Sequence, residues 1–343
     1  MVQHIHTYPT LSVIIATYNS RKTIVRCLAS LKKQIYPPQK VQILVIDGGS
    51  SDTTLAIAKS YGCEIHKVKK LKQNAEYNKG YGLRFVRGEF VLFIDHDNIL
   101  PHHLWLKNMI VPFFKDKEIV ATEPLRYHFD RSYPVLDRYF ALFGVTDPAA
   151  FYLGKADKAS YLSNAYNLLG KSVDRGKYYE VRFDRMHPER IPTLGANGFL
   201  IKKKFLQPYI EDPKKYFHID INVDIIKAGN EKYAFIKDDI GHVTLNSFRE
   251  FLKRKQQFMN DYFIKQHAHR RYSVYLPTDR FKLFLFIFYS LTIIKPLFDA
   301  TRGWVRVKDI AWFLHPFMCL SMVIVYGTTM VKYSFNNFQM RLK

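Results

Sequence analysis

Residues 11–125 alternate between two hydrophobic periods. Short, nearly continuous apolar runs predict buried strands, and stretches with apolar residues three or four positions apart predict amphipathic helices. Strands that alternate with helices in this way predict an α/β fold with a mostly parallel, Rossmann-like sheet and helices on both faces. The predicted strands are residues 11–16, 41–46, 63–68, 90–94 and 119–122, and the predicted helices are residues 21–34, 52–61, 74–87 and 101–114.

The α/β pattern is interrupted over residues 126–193, which are rich in Tyr, Arg, Asp and Lys. We predict an irregular, partly helical insert here that covers a substrate on the acceptor side of the site. The pattern resumes at residues 194–203 and continues through residues 217–245. Residues 1–245 are therefore predicted to form one α/β domain that includes this insert.

The last hundred residues differ in character from this domain. Residues 246–272 interleave Phe and Tyr with Arg and Lys, which predicts a basic amphipathic helix. Residues 310–331 carry no Asp, Glu, Lys or Arg and are long enough to span a bilayer. Residues 281–298 hold a shorter apolar run, which predicts an interfacial helix or a short span. We expect residues 273–343 to associate with a membrane, and a buried helix pair in a soluble domain is the alternative.

Charge adds to this picture. The chain of 343 residues has a net charge of +22, and residues 241–343 contain 16 Lys/Arg and 5 Asp/Glu, so 16 − 5 = +11. Basic residues beside apolar helices favour an anionic membrane surface as a partner. A basic chain could also bind nucleic acid, but the sequence has no zinc-finger spacing, RNP-type motif or basic helix with a dimerisation heptad, so no nucleic acid is expected.

Three scattered cysteines favour a reducing compartment over a disulfide framework. Together with the apolar helices, they predict a cell-membrane location with the α/β domain on the cytoplasmic side.

Two carboxylates one residue apart, Asp95 and Asp97, follow the apolar run 90–94. Carboxylate oxygens suit a Mg²⁺ or Mn²⁺ ion that is shared with a substrate diphosphate. The carboxyl edge of an open α/β sheet is also where such folds bind ligands. Alone, Asp-x-Asp after a strand is equally a turn former or a helix cap.

Four segments in order resemble the successive signatures of family 2 glycosyltransferases with the GT-A fold. They are residues 11–19 (LSVIIATYN), 45–52 (VIDGGSSD), 77–80 (YNKG) and 95–97 (DHD). The resemblance covers residues 11 to about 125 and continues more loosely to about 245. It implies a metal-dependent, inverting transfer of a sugar from a UDP- or GDP-linked donor.

The resemblance also implies roles for residues at the donor side. Asp47 would accept from a ring N–H of the nucleobase, with turn shaping as the alternative. Asn78 would lie near the nucleotide-sugar, and the alternative is a residue on the helix surface. The implied donor-binding residues are Thr17, Tyr18, Asn19, Asp47, Gly48, Asn78 and Asp95.

The same resemblance implies a site for Mn²⁺ or Mg²⁺. Asp97 would ligate the ion directly, and Asp95 would lie close to it and to the ribose. His242 follows a strand-like segment at the position where many relatives have a third metal ligand. A core or surface role for His242 is the alternative.

Residues 193–200 resemble the Gly-rich acceptor-side segment of the family. The implied acceptor-side residues are Gly195, Asn197 and Gly198, and a plain turn entering a strand is the alternative. Glycines here would let the backbone approach the sugar and the diphosphate.

The general base departs from the family pattern. The family usually supplies it from Glu-Asp at the head of a helix, and Phe217-His218 stands in that place here. We predict Asp220 as the base, with Asp224 and then His218 as the next candidates. A phosphate acceptor is already ionised and would need no base, which would explain the loss of Glu-Asp.

These observations predict a membrane-associated glycosyltransferase that acts on a lipid-linked acceptor of the polyprenyl phosphate type or on a glycan. A non-catalytic binding or assembly protein with the same fold is the first alternative, because Glu-Asp is missing. A nucleotidyltransferase is the second, but residues 16–20 (ATYNS) lack the Gly-rich, Arg/Lys-containing loop of that class.

Overall fold

The computed structural model describes residues 8–68, 74–264 and 270–341. The chain falls into two compact units. The first, the sheet unit, comprises residues 1–128 and 169–244, and the second, the helical unit, comprises residues 129–168 and 245–343.

This division differs from the predicted insert at residues 126–193. Residues 129–168 belong to the helical unit, whereas a hairpin formed by residues 171–182 joins the sheet. The sequence pattern did not separate residues 129–168 from residues 171–182, because both have a similar composition and weak periodicity. The first segment packs in the helical unit, whereas the second pairs in the sheet.

Within the described residues, the sheet unit contains one ten-stranded sheet. Its strands are β1 (Leu11–Thr17), β2 (Val41–Asp47), β3 (Glu64–Lys67), β4 (Phe90–Asp95), β5 (Asn98–Ile99), β6 (Ala121–Tyr127), β7 (Lys171–Asp174), β8 (Tyr178–Arg182), β9 (Phe199–Lys202) and β10 (Lys232–His242). The α-helices of both units are α1 (Ile24–Lys32), α2 (Thr54–Ser60), α3 (Ala75–Gly82), α4 (Trp105–Lys115), α5 (Val135–Phe143), α6 (Pro148–Tyr152), α7 (Gln207–Glu211), α8 (Asp220–Lys227), α9 (Phe248–Phe258), α10 (Arg280–Thr292), α11 (Ile294–Arg306) and α12 (His315–Arg341).

The strand order is β3-β2-β1-β4-β9-β6-β10-β8-β7, and β5 pairs with β10. Strands β3, β2, β1 and β4 are parallel, as are β6 and β10. Strand β9 is antiparallel to both neighbours, and the β7–β8 hairpin adds antiparallel to β10. The predicted α/β fold class is confirmed, but the sheet is mixed. Short connections such as the β7–β8 turn can join only antiparallel strands.

Three parallel strands end together and bring polar side chains to one edge of the sheet. In the strand register Thr17 lies opposite Asp47, and Ala16 lies opposite Asp95. The end of β10 reaches the same place, because His242 pairs with Asn98 on β5. Residues far apart in sequence therefore meet at the carboxyl edge, where open α/β sheets bind ligands.

The helical unit has its own hydrophobic core, built on α5, α10, α12 and the turn before α12. Trp312 is fully buried there, and its ring lies 4.8 Å from that of Phe143. A Cβ atom at Gly303 would lie 2.4 Å from the Trp312 ring. Helix α11 can therefore approach Trp312 only because this position is glycine.

The predicted basic helix 246–272 is shorter in the structure. Helix α9 begins after Ser247, whose side chain forms a capping box with Glu250, and a π-helical turn follows at Met259–Ile264. Residues 265–269 of the predicted helix lie outside the described residues.

One described helical segment, Ile310–Ser334, is long and apolar enough to cross a membrane. The segments Pro277–Thr292 and Ile294–Arg306 pass the same test only as a pair, and they meet at an angle of 82°. The predicted apolar stretch 281–298 is thus two helices joined at Ile293, which has φ +63°.

Candidate active site

The segment that follows β1 presents polar groups in different environments. Thr17 is buried, and its Oγ1 has no hydrogen-bond partner among the described residues. Tyr18 is exposed. Asn19 has φ +48°, and its Oδ1 accepts from the Ser51 amide at 2.9 Å. These groups lie at the strand end where the sequence predicts nucleotide binding.

Asp47 is fully buried, and its carboxylate shapes the turn after β2. Oδ2 accepts from the amides of Gly49 and Ser50, both at 2.9 Å. Gly49 takes φ +98°, and the amide of the buried Gly48 donates to the Thr17 carbonyl at 2.9 Å. These contacts match the turn-shaping alternative, and recognition of a nucleobase by Asp47 stays a prediction.

Lys79 on α3 meets Asp95 at the end of β4. Its Nζ lies 2.8 Å from Oδ1 of Asp95, and Lys79 is 2% exposed. Burial alone would raise the pKa of Asp95, but the charge of Lys79 outweighs it and holds that pKa below its usual value. Burial also opposes the charge of Lys79, yet Asp95 and Glu76 raise the pKa of its ammonium group. Asp95 is therefore ionised and already paired on one oxygen.

Glu76 lies three residues before Lys79 on α3 and contacts His218, which precedes α8. Its Oε1 lies 2.9 Å from Nδ1 of His218, and its Oε2 accepts from the His218 amide at 2.9 Å. Burial would raise the pKa of Glu76, but the neighbouring His218 outweighs it and lowers this pKa to about 2. Helix α3 thus carries both Glu76, which contacts His218, and Lys79, which pairs with Asp95.

Asn98 connects the Asp95 segment to the acceptor-side loop. It is fully buried, and its Oδ1 accepts from the Asp95 amide at 2.8 Å. Its Nδ2 donates to Oδ1 of Asn197 at 3.0 Å and to the Gly241 carbonyl at 3.3 Å. Asn197, with φ +50°, donates in turn to the Tyr127 hydroxyl at 2.8 Å. The predicted donor and acceptor sides therefore meet at one buried amide.

Asp97 and His242 form the candidate metal site. Oδ2 of Asp97 lies 3.7 Å from Nε2 of His242. Oδ1 of Asp97 and Nδ1 of His242 are buried, and neither has a hydrogen-bond partner in the described part of the chain. Buried polar atoms nearly always have a hydrogen-bond partner in native structures, so we expect water or a ligand at both atoms.

Over the described ranges, no group of three or more His, Cys, Asp or Glu side chains could hold a metal ion without further ligands. Mg²⁺ is usually bound by one or two carboxylates together with substrate phosphates and water. Carboxylates suit Mn²⁺ as well. The Asp97 carboxylate and the His242 imidazole, 3.7 Å apart at their nearest atoms, therefore fit a divalent ion only where water and a diphosphate complete its coordination.

Gly195 and Gly198 lie in the predicted acceptor-side loop and have φ values of +110° and +94°. A Cβ atom on Gly195 would lie 2.2 Å from the His218 carbonyl oxygen, and one on Gly198 would lie 2.9 Å from the Ile240 side chain. Only glycine fits at these two positions. The predicted acceptor-side loop thus directly contacts the segment that carries the base candidates.

Asp220 and Asp224, the predicted bases, lie on α8 one turn apart. Asp220 is 1% exposed. Asp224 accepts from the Tyr209 hydroxyl at 2.7 Å. Neither side chain is fully open to an acceptor hydroxyl.

Asn78 is 4% exposed, so the alternative that it lies on the helix surface is wrong. Sequence reasoning chose Asn78 and missed Lys79 in the same motif, together with Glu76 and Asn98. A signal was present for two of these, because Glu76 and Lys79 are three residues apart and share a helix face. The sequence alone does not indicate that Asn98 is buried and makes hydrogen bonds to three separate segments.

Comparisons with known proteins bear on the family and on the fold of this chain. The family model described as Glycosyl transferase family 2 matches residues 12–187, slightly more than half of the chain. The solved mannosyltransferase PcManGT from Pyrobaculum calidifontis, in complex with GDP-Man and Mn²⁺, aligns with 94% of this chain and 88% of its own, with a TM-score of 0.51 and 15% identity. At that identity the likeness shows the fold.

Two curated relatives are similar over shorter stretches. Poly(ribitol-phosphate) beta-N-acetylglucosaminyltransferase TarS of Staphylococcus aureus is 39% identical over 93 residues, which cover 26% of this chain and 16% of TarS. Dolichyl N-acetyl-alpha-D-glucosaminyl phosphate 3-beta-D-2,3-diacetamido-2,3-dideoxy-beta-D-glucuronosyltransferase of Methanococcus voltae is 32% identical over 116 residues, which cover 32% of this chain and 35% of that protein. The chain thus matches well under half the length of either relative.

The sheet topology and the polar edge that ends β1, β2 and β4 define a protein of the GT-A fold class. The chain belongs to glycosyl transferase family 2. This confirms the family membership that the four sequence motifs predicted.

Proposed function

We propose that this protein is a metal-dependent, inverting glycosyltransferase that uses a UDP- or GDP-linked sugar. The observation that carries the proposal is the charged edge of the sheet, where Lys79 keeps Asp95 ionised beside the unsatisfied Oδ1 of Asp97. Carboxylates at the carboxyl edge of parallel strands suit a metal-bound diphosphate. The GDP-Man and Mn²⁺ bound to PcManGT support a donor of this class.

The roles at the donor side follow from this proposal. Asp97 and His242 would hold Mn²⁺ or Mg²⁺, with Asp95 next to them. When bound, the ion supplies charge neutralisation for the leaving nucleoside diphosphate. The nucleoside would lie against residues at the ends of β1 and β2 and in the middle of α3, namely Thr17, Tyr18, Asn19, Asp47, Gly48 and Asn78.

The proposed acceptor is a lipid-linked molecule of the polyprenyl phosphate type or a glycan. The name of the Methanococcus voltae relative contains a dolichyl-linked sugar phosphate, and the name of TarS contains poly(ribitol-phosphate). Gly195, Asn197 and Gly198 would face this acceptor, because they are tied to Asn98 and to the start of α8. A hydroxyl acceptor needs a base, for which Asp220, Asp224 and His218 are the sequence-based candidates, and a phosphate acceptor does not.

Attachment to the cell membrane, with the sheet unit on the cytoplasmic side, is part of the same proposal. Support comes from the candidate span Ile310–Ser334 and from exposed apolar side chains on α10 and α11. Basic residues beside them, such as Lys282 and Arg302, suit anionic lipid headgroups. A membrane-attached enzyme would meet acceptors that are themselves anchored in lipid.

A donor screen tests the catalytic proposal. Full-length protein with Mn²⁺ is incubated with UDP-glucose, UDP-GlcNAc or GDP-mannose, and released UDP or GDP is measured. We expect release from at least one donor, loss of that release with EDTA, and a large loss in Asp97→Asn. Asp184→Asn, which changes an exposed carboxylate of the sheet unit, is the matched control and should retain activity.

The outcomes of the screen separate the proposal from its alternative. Turnover that persists in EDTA would contradict the metal role. Mn²⁺-dependent binding of UDP or GDP without consumption of any donor would favour the non-catalytic binding protein.

A further inference from the structure

The segment that would supply the general base departs from the family pattern in this chain. Phe217 and His218 stand where the family pattern has Glu-Asp, so the usual carboxylates are missing. Asp220 is 1% exposed, and one oxygen of Asp224 is engaged by the Tyr209 hydroxyl. A base must come within hydrogen-bond reach of the proton it takes, which disfavours both aspartates.

We propose that His218 is the general base of this enzyme and that Glu76 is its positioning residue. The proposal rests on the glycosyltransferase function proposed above. The His218 side chain is 19% exposed, and Nδ1 faces Glu76 at 2.9 Å. Among the described residues, Nε2 of His218 has no polar partner, so it is available to accept a proton.

The His218 segment is fixed from two sides by close backbone approaches. On one side Gly195 touches the His218 carbonyl, which leaves no room for a side chain. On the other side a Cβ atom on Gly80 would lie 2.7 Å from both the Pro213 carbonyl oxygen and Cβ of Tyr216. Helix α3 therefore lies directly against the segment that leads to His218. The amide of His218 also donates to Oε2 of Glu76 at 2.9 Å.

The same face of α3 connects His218 to the leaving-group side of the site. Glu76 contacts His218, and Lys79, three residues further along, contacts Asp95 at 2.8 Å. Asp95 lies two residues from Asp97, the candidate metal ligand. One helix face thus carries both the partner of the proposed base and the cation next to the proposed diphosphate site.

The bond changes of the proposed reaction involve the acceptor hydroxyl, His218 and the sugar donor. The O–H bond of the acceptor hydroxyl breaks, and its proton goes to Nε2 of His218. The acceptor oxygen forms a bond to the anomeric carbon, while the bond from that carbon to the diphosphate oxygen breaks. The electron pair of the broken bond leaves on the nucleoside diphosphate, and His218 later releases its proton to solvent.

Glu76 stabilises the imidazolium that forms, mainly through its charge. The Glu76–Nδ1 contact is within ion-pair distance, but it lacks the alignment of a hydrogen bond. A base oriented by a third group is a recurring arrangement in catalysis. Replacing the Glu76 carboxylate by a neutral amide should therefore slow the proton transfer while keeping the shape of the site.

Water can serve as the acceptor in the test, so no natural acceptor is needed. The measured reaction is hydrolysis of the donor that the screen selects, UDP-GlcNAc or GDP-mannose for example, with Mn²⁺. In His218→Ala we expect kcat to fall by about 10²–10⁴-fold, which is the usual contribution of a general base. KM and the affinity for the nucleoside diphosphate with Mn²⁺ should stay within about twofold, and added imidazole should restore part of kcat.

Two further variants sharpen the test. Glu76→Gln should lower kcat by a smaller factor than His218→Ala, again without weakening nucleotide binding. His66→Gln is the matched control, because His66 is also partly buried beside a glutamate, Glu64, at 2.8 Å, and its ring stacks on Phe85 rather than on a residue assigned to the site. If His218→Ala lowers the unfolding temperature, His218→Gln, which also cannot accept the proton, replaces it.

The outcomes separate this inference from the proposed function. An active wild type with an equally active His218→Ala variant overturns the inference alone. A loss that imidazole does not rescue in an otherwise folded variant means that His218 only orders the site, and this also overturns it. A wild type that consumes no donor overturns the glycosyltransferase function and the inference with it.

Discussion

Lys79 and Asp95 form an ion pair of 2.8 Å in which the lysine side chain is 2% exposed and the aspartate side chain is 29% exposed. The pair joins α3 to the end of β4. Oδ1 of Asp95 lies nearest to Lys79, and the carboxylate stays partly exposed, so a ligand can still reach it. The charge of Lys79 interacts favourably with both Asp95 and Asp97, which are two residues apart in the sequence.

Lys79→Met should destabilise the protein strongly. It removes the cation but keeps a side chain of similar length, so Asp95 is left without its partner. Breaking a buried ion pair from one side typically costs about 3–5 kcal/mol. The free energy of unfolding, measured by urea denaturation, should fall by about that amount.

Two further variants test whether the effect belongs to the pair. In the double variant Lys79→Met/Asp95→Asn, the loss in the free energy of unfolding should be smaller than the sum of the two single losses, because no unpaired charge remains. The control is Arg87→Met, which breaks an ion pair with Glu64 in which Arg87 is mostly exposed. It should cost less than about 1 kcal/mol. Equal losses in Lys79→Met and Arg87→Met would refute the structural role of the buried pair.

The early strands and the Asp95–Asp97 motif could be predicted from sequence because they depend on local patterns. Apolar runs located β1, β2 and β4 within one residue of their observed ends, and the residue types that follow each run indicated which edge of the sheet is polar. Helix α3 was predicted to continue to residue 87 but ends at Gly82. A Cβ atom on Gly82 would lie 2.8 Å from Ile46, so this glycine marks tight packing on β2.

The contact between Glu76 and His218 could not be predicted in this way. It joins residues 142 positions apart, and it depends on how α3 meets the segment before α8. The assignment of residues 129–168 to the helical unit could not be predicted either. Their hydrophobic side chains pack in a core whose other residues follow residue 245 in the sequence. Local periodicity carries no information about such distant partners.

His242→Gln should weaken metal-dependent nucleotide binding. Nε2 of His242 lies 3.7 Å from Asp97, which makes His242 the second side chain of the candidate metal site. Even partners outside the ligand shell typically contribute 10–100-fold to metal affinity, so loss of a ligand should cost at least about tenfold. Titration of UDP or GDP with and without Mn²⁺ measures this effect.

The readout for His242 is the Mn²⁺-dependent part of the affinity. The control is His187→Gln, a half-exposed histidine of the sheet unit that lies 3.6 Å from Glu189. It should leave the affinity unchanged. If His242→Gln behaves like His187→Gln, His242 has only a packing role.

Gly195→Ala should destabilise the sheet unit and impair turnover. The residue has φ +110°, and the new Cβ would lie 2.2 Å from the His218 carbonyl oxygen, which belongs to the backbone and cannot move aside. Strained backbone conformations typically cost about 1–3 kcal/mol, and the steric clash adds to that. Gly176→Ala is the control, because Gly176 has φ +80° but no neighbouring atom of the described residues within 4 Å of the added Cβ. Unfolding free energies that are lowered equally in both variants would show that the contact with His218 is not tight.

Acid should lower the free energy of unfolding, in part because it protonates Glu76. The pKa of Glu76 is lowered from 4.5 to about 2 in the folded protein, so the unfolded chain binds the proton more readily. The stabilisation is therefore complete above pH 4.5 and is lost as the pH falls toward 2. Glu76→Gln removes this contribution, so the difference in unfolding free energy between wild type and variant should be larger at pH 6 than at pH 3. A difference that is the same at both pH values would contradict the lowered pKa.

Helix α10 should lie in lipid when the protein is bound to membranes. Phe281, Phe284, Phe288 and Leu291 are exposed and lie at spacings of three and four residues along one face of the helix, whereas Phe286 is buried in the core of the helical unit.

The test attaches an environment-sensitive dye to Phe288→Cys in a Cys63→Ser background, since Cys63 is the native cysteine that is not fully buried. Reconstituted into vesicles of phosphatidylcholine and phosphatidylglycerol, the dye should shift its emission to shorter wavelength and be shielded from aqueous iodide. The same dye at Met186→Cys, an exposed position of the sheet unit, should stay accessible to iodide. Equal quenching at the two positions would mean that α10 does not enter the bilayer.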